Sequence, residues 1–273
     1  MGRAGVHLAA ERFGGSGPGI LLVHATGFCK ELWEPVVEPA LSGHDVLAVD
    51  QRGHGGSGPI EEPFDWWDLG RDVLDAVAAA GWRRPVGAGH SSGAAALVLA
   101  ELLRPGTFAG LVLVEPIVFP GPPYFRAEEN PMSARALRRR AAFPSPDAAF
   151  ESFVGRGPFA RWDDRVLRRY VEHGFVPDGD GGITLACPPD QEAEFYRGAT
   201  EHGAWSRLGE IGCPVVVAGG ADSDSHPRPF LEEQASRFVD AVVTVLPGTT
   251  HFAPMEQPEA VGLLIGEGLE RWG

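Results

Sequence analysis

The sequence is poor in basic side chains and in long apolar runs. Its 273 residues include 23 Lys and Arg against 37 Asp and Glu, which gives a formal net charge of −14. A chain of this charge repels phosphate backbones and anionic lipid surfaces. None of its uncharged apolar runs approaches the ~20 residues that cross a bilayer. We therefore expect no nucleic acid and no membrane among its partners.

Cysteine is scarce as well. The three cysteines, Cys29, Cys187 and Cys213, are widely spaced and form no CxxC pair. Because their number is odd, at least one thiol stays unpaired, and a reducing, cytoplasmic location is the simpler expectation. Residues 1–19 predict no signal sequence, since Glu11 and Arg12 interrupt their apolar stretch.

The remaining composition, 44% hydrophobic and 22% charged, is that of a globular protein. Short apolar runs at residues 19–24, 45–50 and 110–114 predict strands buried on both faces of a parallel sheet. Helical patterns at 65–80 and 94–103 alternate with them. This alternation predicts an α/β fold with a mostly parallel central sheet flanked by helices.

The alternation of strands and helices stops between residues 119 and 207. Proline-rich turns, an Arg-rich segment predicted as a helix over 133–142, and further helical pieces take its place. We interpret 119–207 as a helical cap inserted between two parts of one core, residues 1–118 and 208–273. Strand patterns resume in the second part of the core.

The strongest chemical motif is GHSSG at residues 89–93, between a predicted strand and an alanine-rich helix. It matches GxSxG, in which a nucleophile stands on a sharp strand-to-helix turn whose crowded backbone favours glycine on both sides. Ser91 is therefore the predicted nucleophile. Ser92 is the rival, but a frame shifted by one residue would place His90 and Ala94 where glycine is wanted.

Further motifs accompany this elbow: HATGF at 24–28, DQRGHGGSG at 50–58, GGAD at 219–222 and a late histidine, His251. Together they resemble the α/β-hydrolase superfamily over the whole predicted core. The resemblance implies hydrolase chemistry without a cofactor and a triad in the order serine, acid, histidine. Of the nine histidines, only His251 fits that order well, as the general base.

The acid of the triad has three candidates. Asp222 stands third after the glycine that ends a predicted strand, where the family usually carries it, and we favour it. Asp224 lies further into the same loop. Glu115 ends an earlier strand in LVLVEP, where some relatives keep their acid, and it stays open as an alternative.

The same resemblance implies an oxyanion hole made of two backbone amides. Ser92, directly after the nucleophile, supplies one. Thr26, in the loop after the first strong strand, is our choice for the other, and Phe28 is the alternative. His24, His54 and His90 lie near strand ends without the spacing of metal ligands, so we predict no metal site.

Aromatic side chains of the predicted cap and of the two active-site loops favour an apolar pocket. The residues assigned to substrate binding are Phe28, Phe119, Tyr124, Phe125, Trp162 and Phe252. The cap also carries a basic cluster, Arg135, Arg138, Arg139 and Arg140, which we interpret as a solvated helix face; steering of an anionic substrate is the alternative.

The expected function is hydrolysis of a carboxylic ester or lactone of a small-molecule substrate through an acyl-serine intermediate. Hydrolysis of a C–C bond or a thioester, or perhydrolase activity, would use the same residues. A ligand-binding protein on the same fold, with an idle triad, is the alternative from another class. A homodimer is left open.

Overall fold

The computed structural model describes residues 5–61, 63–121 and 130–273. Its centre is a seven-stranded sheet in the order β1-β3-β2-β4-β5-β9-β10. Neighbouring strands are parallel except β1, which pairs antiparallel with β3. The strands are β1 Ala10–Phe13, β2 Gly15–Val23, β3 Gly43–Val49, β4 Val86–His90, β5 Gly110–Val114, β9 Val215–Gly220 and β10 Ala241–Leu246. The predicted α/β fold with a mostly parallel sheet is confirmed.

Helices cover both faces of this sheet, which is why its central strands are apolar on both sides. One face is packed by α2, α3 and α8, and the other by α1 and α10. Residues 86–90 and 110–114 are completely buried between the two layers. The helices of the core are α1 Glu34–Ala40, α2 Trp67–Ala79, α3 Ser92–Leu103, α8 Arg228–Ala235, α9 Ala253–Glu256 and α10 Pro258–Trp272.

Between β5 and β9 the chain leaves the sheet and forms an insertion. Its helices are α4 Pro131–Ala136, α5 Pro146–Phe153, α6 Asp164–His173 and α7 Pro189–Gly198. It also carries a small antiparallel sheet in the order β6-β8-β7, with β6 Ala142–Phe143, β7 Phe175–Pro177 and β8 Ile183–Leu185. The predicted helical cap did not include this small sheet, because strands of two or three residues leave no periodic pattern in a sequence.

The Arg-rich helix predicted over 133–142 is wrong in its second half. The helix α4 ends at Ala136, and turns with i to i+3 hydrogen bonds follow, in which the amides of Arg138 and Arg139 bond the carbonyls of Arg135 and Ala136. These turns lead the chain into β6. Across the described ranges, none of the helices is long and apolar enough to span a bilayer.

Candidate active site

Ser91 lies at the tip of a sharp turn between β4 and α3. Its backbone is left-handed, with φ 56° and ψ −114°, a strained conformation for a residue with a Cβ. Its amide is held by the carbonyl of Val114 at 2.9 Å. A Cβ on Gly93 would stand 2.2 Å from the carbonyl oxygen of Val23, and one on Gly89 would stand 2.7 Å from the amide of Ala94. The motif needs its glycines because the backbone passes this close to the turn.

His251 lies beside this elbow, in the loop between β10 and α9. Its ring centroid is 5.0 Å from that of His90, the residue before the predicted nucleophile. The Nε2–H of His90 donates to the carbonyl oxygen of His251 at 2.8 Å, since that oxygen can only accept. Thus a buried histidine of the elbow fixes the backbone of the histidine loop.

The carboxylate that contacts His251 belongs to Glu115. Its Oε2 lies 3.0 Å from Nδ1 of His251. Glu115 follows β5 directly, is fully buried and has a left-handed backbone with φ 52°. Because Val114 pairs in register with His90, the next residue of each strand, Glu115 and Ser91, come out at the same edge of the sheet.

The loop after β9 holds this carboxylate from the other side. Oε1 accepts the amide of Gly220 at 2.8 Å, and Oε2 accepts the hydroxyl of Ser223 at 2.7 Å. Ser225 and His226 also reach Oε2, at 3.1 and 2.9 Å. Sequence reasoning missed these three side chains of the loop, since no motif marks them.

Burial alone would raise the pKa of Glu115, but hydrogen bonds from His226 and His251 outweigh it and hold the pKa well below its ordinary value. The carboxylate therefore stays charged at neutral pH. Ligand atoms of Glu115, His226 and His251 all lie within 4.8 Å of one another, so these residues could also hold a metal ion. The hydrogen bonds from both rings to one oxygen explain the same closeness without an ion.

The prediction of Asp222 as the acid that orients His251 is wrong. Its side chain is 53% exposed and pairs with Arg161 at 3.0 Å. Asp224 is exposed as well. Both belong to the loop after β9, whereas the strand beside the nucleophile strand is β5, and its end brings Glu115 next to the elbow. The signal was present in the sequence, as a carboxylate directly after a fully apolar strand.

The loop HATGF lies over the elbow and is fixed by two neutral histidines. His54 accepts the amide of Gly27 on Nε2 at 2.8 Å, and His24 accepts the amide of Gln51 on Nε2 at 3.0 Å. Each ring then donates its Nδ1–H to a backbone carbonyl. Burial lowers the pKa of His54 to about 3, which keeps that ring neutral and able to accept.

Two backbone amides of this region remain available for an oxyanion. In the described parts of the chain, the amides of Thr26 and Ser92 have no hydrogen-bond acceptor, whereas that of Phe28 bonds the carbonyl of Ala25 at 3.3 Å. The hydroxyl of Ser92 accepts from Gln51 Nε2 at 3.0 Å and is fully buried. The geometry thus favours Thr26 over Phe28 and leaves Ser92 in its predicted place.

A strained serine, a histidine loop beside it and a carboxylate on that histidine lie together at the carboxyl end of one sheet. A family model described as the alpha/beta hydrolase family matches residues 20–262. The chain belongs to this family.

This α/β-hydrolase is similar to a hydrolase and to a thioesterase of known name. It is 26% identical over 246 residues to a 2-(acetamidomethylene)succinate hydrolase from Mesorhizobium japonicum, with 90% of this chain and 85% of the relative covered. It is 26% identical over 171 residues to a type I acyl-CoA thioesterase from Penicillium roqueforti, with 57% of this chain and 39% of the relative covered. This chain is accordingly an enzyme of the hydrolase class.

Solved structures share the fold. The crystal structure of E-2-(acetamidomethylene)succinate hydrolase has a TM-score of 0.83 at 23% identity, and the match covers 97% of this chain and 100% of that one. An esterase from Thermogutta terrifontis with bound malate has a TM-score of 0.77 at 24% identity, over 97% and 94% of the two chains.

In this α/β-hydrolase an aromatic cluster joins the insertion to the two active-site loops. Phe28 lies 5.3 Å from Trp162 and 5.6 Å from Tyr170 by ring centroid, and Phe252 lies 5.9 Å from Trp162. The ring of Phe252 is also 5.3 Å from that of His251. Phe252 thus contacts the histidine of the site, and Phe28, Trp162 and Tyr170 pack together with it in one aromatic cluster.

The other aromatic residues assigned to the substrate lie elsewhere. Phe119 stacks on Phe230 and contacts His226, at centroid distances of 5.4 Å for each pair, which places it behind the acid. Tyr124 and Phe125 lie outside the described residues. Phe119 therefore meets the triad region from the side of Glu115, away from the cluster formed by Phe28 and Phe252.

The basic cluster of the insertion divides in two. Arg135, Arg138 and Arg140 are exposed, as a solvated face requires. Arg139 points inward, and its guanidinium donates to Glu192 at 2.6 Å and to the Tyr170 hydroxyl at 2.8 Å. Burial would lower the pKa of Arg139, but these two partners raise it above its usual value. This one arginine keeps its charge inside the protein.

Proposed function

We propose that this hydrolase cleaves a carboxylic ester or lactone of a small, largely apolar substrate, with Ser91 as nucleophile, His251 as base and Glu115 as acid. The observation that carries the proposal is the contact between Glu115 and Nδ1 of His251 beside the strained elbow. Because Nδ1 is bound to the carboxylate, Nε2 remains free to take a proton from the serine.

The proposed reaction begins when His251 Nε2 accepts the proton of the Ser91 hydroxyl and Oγ attacks the carbonyl carbon of the substrate. The amides of Thr26 and Ser92 donate to the oxyanion of the tetrahedral intermediate. The imidazolium of His251 gives its proton to the leaving alcohol, and an acyl-serine forms. Water, deprotonated by His251, then releases the acid.

The charge on Glu115 supports both steps, since it stabilises the imidazolium that forms twice in each turnover. Ser91 and Glu115 are shielded from bulk water, with Ser91 only 7% exposed and Glu115 fully buried, while the side chain of His251 is 24% exposed. In such an enclosed site the attraction between carboxylate and imidazolium is stronger than in water. The rings of Phe28 and Phe252 favour an apolar acyl or alcohol group next to it.

The proposal is tested with p-nitrophenyl esters of short acids and a fluorophosphonate probe. We expect a burst of nitrophenol and labelling at Ser91, both abolished by Ser91→Ala. Ser92→Ala is the matched control, because it removes a neighbouring hydroxyl and keeps the amide, and labelling should persist. An unlabelled, folded wild-type protein would favour the ligand-binding alternative.

A second candidate is hydrolysis of an amide bond in a small carboxylated substrate. Two observations favour it: the guanidinium of Arg139 approaches the oxyanion loop at Gly27, and the relative from Mesorhizobium japonicum acts on 2-(acetamidomethylene)succinate by name. An Nη1 atom of Arg139 lies 3.4 Å from where a Cβ of Gly27 would stand, beside its partner Glu192, whose Oε1 lies 3.1 Å from the same point. A substrate carboxylate would bind the half-buried guanidinium of Arg139 in competition with Glu192, to which that guanidinium already donates at 2.6 Å.

The two candidates separate by substrate charge. If the protein hydrolyses amide bonds in carboxylated substrates, Arg139→Gln raises KM for dicarboxylates that carry an acylamino group and leaves KM for neutral esters unchanged. Arg140→Gln is the matched control, since the exposed Arg140 instead packs over the ring of Phe143 at 4.2 Å. Equal changes for charged and neutral substrates would refute the anionic assignment.

A further inference from the structure

We propose that Glu115, His226 and His251 form a binding site for Zn²⁺ or a similar divalent ion, and that an ion bound there stops the hydrolase. The ion acts as an inhibitor, because its ligands include the acid and the base of the proposed triad. Binding stands on the geometry of the three side chains alone. Inhibition also rests on the proposed function, since it takes Glu115 and His251 as acid and base.

The ligand atoms of this site lie close together. Oε2 of Glu115 is 2.9 Å from Nδ1 of His226 and 3.0 Å from Nδ1 of His251. All three atoms lie within 4.8 Å of one another. The hydroxyl oxygen of Ser225 lies 3.1 Å from each of them and supplies a fourth ligand. Two imidazoles and one carboxylate are the protein ligands of a common class of zinc site.

The spacing of these atoms is near that of a tetrahedral zinc site. Bonds of about 2.1 Å from zinc to nitrogen or oxygen place tetrahedral ligands about 3.4 Å apart. The contacts of 2.9 to 3.1 Å with Oε2 of Glu115 are shorter than this by about 0.3 to 0.5 Å. The side chains therefore need to move only slightly when an ion takes the place of the ring protons that face Oε2.

Outer hydrogen bonds already hold two of the ligands. Nε2 of His226 lies 3.0 Å from the carbonyl oxygen of Pro116 and carries a proton, because that oxygen can only accept. Oε1 of Glu115 accepts the amide of Gly220 at 2.8 Å, which leaves Oε2 as the ligand atom. Histidines that bind metals usually donate their second N–H in this way, which fixes the ring and its tautomer. No sequence motif marks the site, because its ligands follow three different strands.

The site has a negative charge and a path from solvent. Glu115 and His226 are fully buried, whereas the side chain of His251 is 24% exposed and Ser225 is exposed. An ion can therefore enter on the side of Ser225. The carboxylate compensates part of the charge of a buried divalent ion, and the formal net charge of −14 attracts cations to the whole chain.

The thiols do not compete with this site. Cys29, Cys187 and Cys213 are buried and free. Burial raises the pKa of Cys29 and Cys187 well above the ordinary value and that of Cys213 to about 12. All three stay protonated at neutral pH, and zinc binds the thiolate form.

A bound ion inhibits from the side of the base that faces away from the serine. It occupies Nδ1 of His251, the nitrogen that contacts Glu115, and it shares the charge of that carboxylate. The ring then accepts the serine proton poorly, because positive charge already lies at its other nitrogen. The substrate side of the ring is left as it is. Saturating Zn²⁺ should therefore lower kcat by at least about 10²-fold, as loss of the acid does, and leave KM unchanged.

Binding is measured without reference to activity. The full chain, without a polyhistidine tag, is titrated with Zn²⁺ by calorimetry and with Co²⁺, whose four-coordinate complexes absorb strongly in visible light. We expect one ion per chain and a visible cobalt band, with the affinity lowered on the order of 10²-fold or more in His226→Gln, since even outer partners of a metal ligand contribute 10- to 100-fold. Equal affinity in His226→Gln and the wild type overturns the proposal.

His173→Gln is the matched control for binding to other histidines. This exposed ring also lies near two carboxylates, Glu31 at 3.9 Å and Glu172 at 4.0 Å. The two carboxylates face different ring nitrogens, so one ion cannot bind the ring and both acids. We expect His173→Gln to bind Zn²⁺ as the wild type does, and a loss of binding in this variant alone would overturn the proposal.

Inhibition is measured with p-nitrophenyl esters at increasing concentrations of Zn²⁺. In the wild type kcat should fall at constant KM and return when EDTA removes the ion. In His226→Gln, compared with its own rate without the ion, the same fractional loss should need on the order of 10²-fold more Zn²⁺. Inhibition that raises KM alone, or that is unshifted in His226→Gln, means that the ion acts elsewhere and overturns the proposal.

The two measurements separate failure of this proposal from failure of the proposed function. An inactive wild-type protein that binds one Zn²⁺ refutes the triad and supports the site. An active enzyme that takes up no ion refutes only the site. If His226→Gln does not fold, crystals of the wild-type protein soaked in Zn²⁺ decide. An anomalous peak at the zinc edge between Oε2 of Glu115 and Nδ1 of His226 supports the site, and its absence overturns it.

Discussion

Replacing Glu115 by glutamine tests the carboxylate contact with His251 at nearly constant shape. The amide keeps one oxygen, but its NH2 group meets donors on every side, since Gly220, Ser223 and the histidine rings all donate toward this side chain. The ring of His251 loses the anion that stabilises its protonated form. The variant should lose some stability through the opposed donors but keep its fold, bind substrate and turn over slowly.

The size of the effect follows from what surrounds Nδ1 of His251. Loss of the acid in other serine triads costs about 10⁴ in turnover, or about 5.5 kcal/mol of barrier. In this site the hydroxyl oxygen of Ser225 lies 3.1 Å from the same nitrogen and can still accept a hydrogen bond from its N–H group. We therefore expect Glu115→Gln to lower kcat by about 10²- to 10⁴-fold.

The assay compares kcat for p-nitrophenyl esters in Glu115→Gln and Asp222→Asn, with urea unfolding of both. Asp222→Asn removes only an ion pair between side chains that are 53% and 43% exposed, worth at most about 1 kcal/mol of stability. Its kcat should stay near that of the wild type. Folded Glu115→Gln with near-native turnover, or an equal loss in Asp222→Asn, would refute the reasoning.

Three further predictions concern the frame of the site. Gly93→Ala should abolish activity, because the new Cβ would stand 2.2 Å from a carbonyl oxygen of β2. Gly212→Ala is the control, since a Cβ at that position has open space around it. An active Gly93→Ala would contradict the prediction. His54→Gln should lower kcat by up to about 10²-fold with little change in KM, because the amide of Gly27 loses its acceptor and the loop at residues 24–28 becomes less ordered. A rise in KM with unchanged kcat would count against this prediction. Burial lowers the pKa of His54 and of His90 to about 3. Between pH 6.5 and 3 the unfolded chain therefore binds more protons than the folded protein, and the free energy of unfolding decreases as the pH is lowered. Urea unfolding should then show a loss of about 2 kcal/mol per ring from pH 7.5 to 5, reduced in His90→Asn, and equal stability at both pH values would contradict it.

The elbow could be predicted from sequence because its requirements are local. A strand, a turn and a helix follow one another between residues 86 and 103, and glycine is needed within two residues of the serine. His251 was found in a similar way, from its place in the chain order. These predictions use only short-range geometry and the direction of the chain.

The sequence included the acid among three candidates but could not select it, because Glu115 and its partner His251 are 136 positions apart in the chain. Asp222, Asp224 and Glu115 all follow strands of the same parallel sheet, so each was expected at the correct edge. The order of strands in the sheet distinguishes them, because β5 lies directly beside the nucleophile strand β4 and β9 lies beyond it. This order cannot be read from the sequence. Arg161, which forms an ion pair with Asp222, belongs to the insertion, and this contact could not be predicted from the sequence either.

The sequence by itself determined the α/β fold, the strained serine and the histidine loop, because periodicity and glycine placement act over a few residues. Tertiary structure alone decided that Glu115 receives hydrogen bonds from both His226 and His251, and that Arg139 points inward while its neighbours face solvent. The physical reason is distance along the chain. Hydrogen bonds between residues a hundred positions apart depend on how layers pack, and packing is decided by all the buried side chains together.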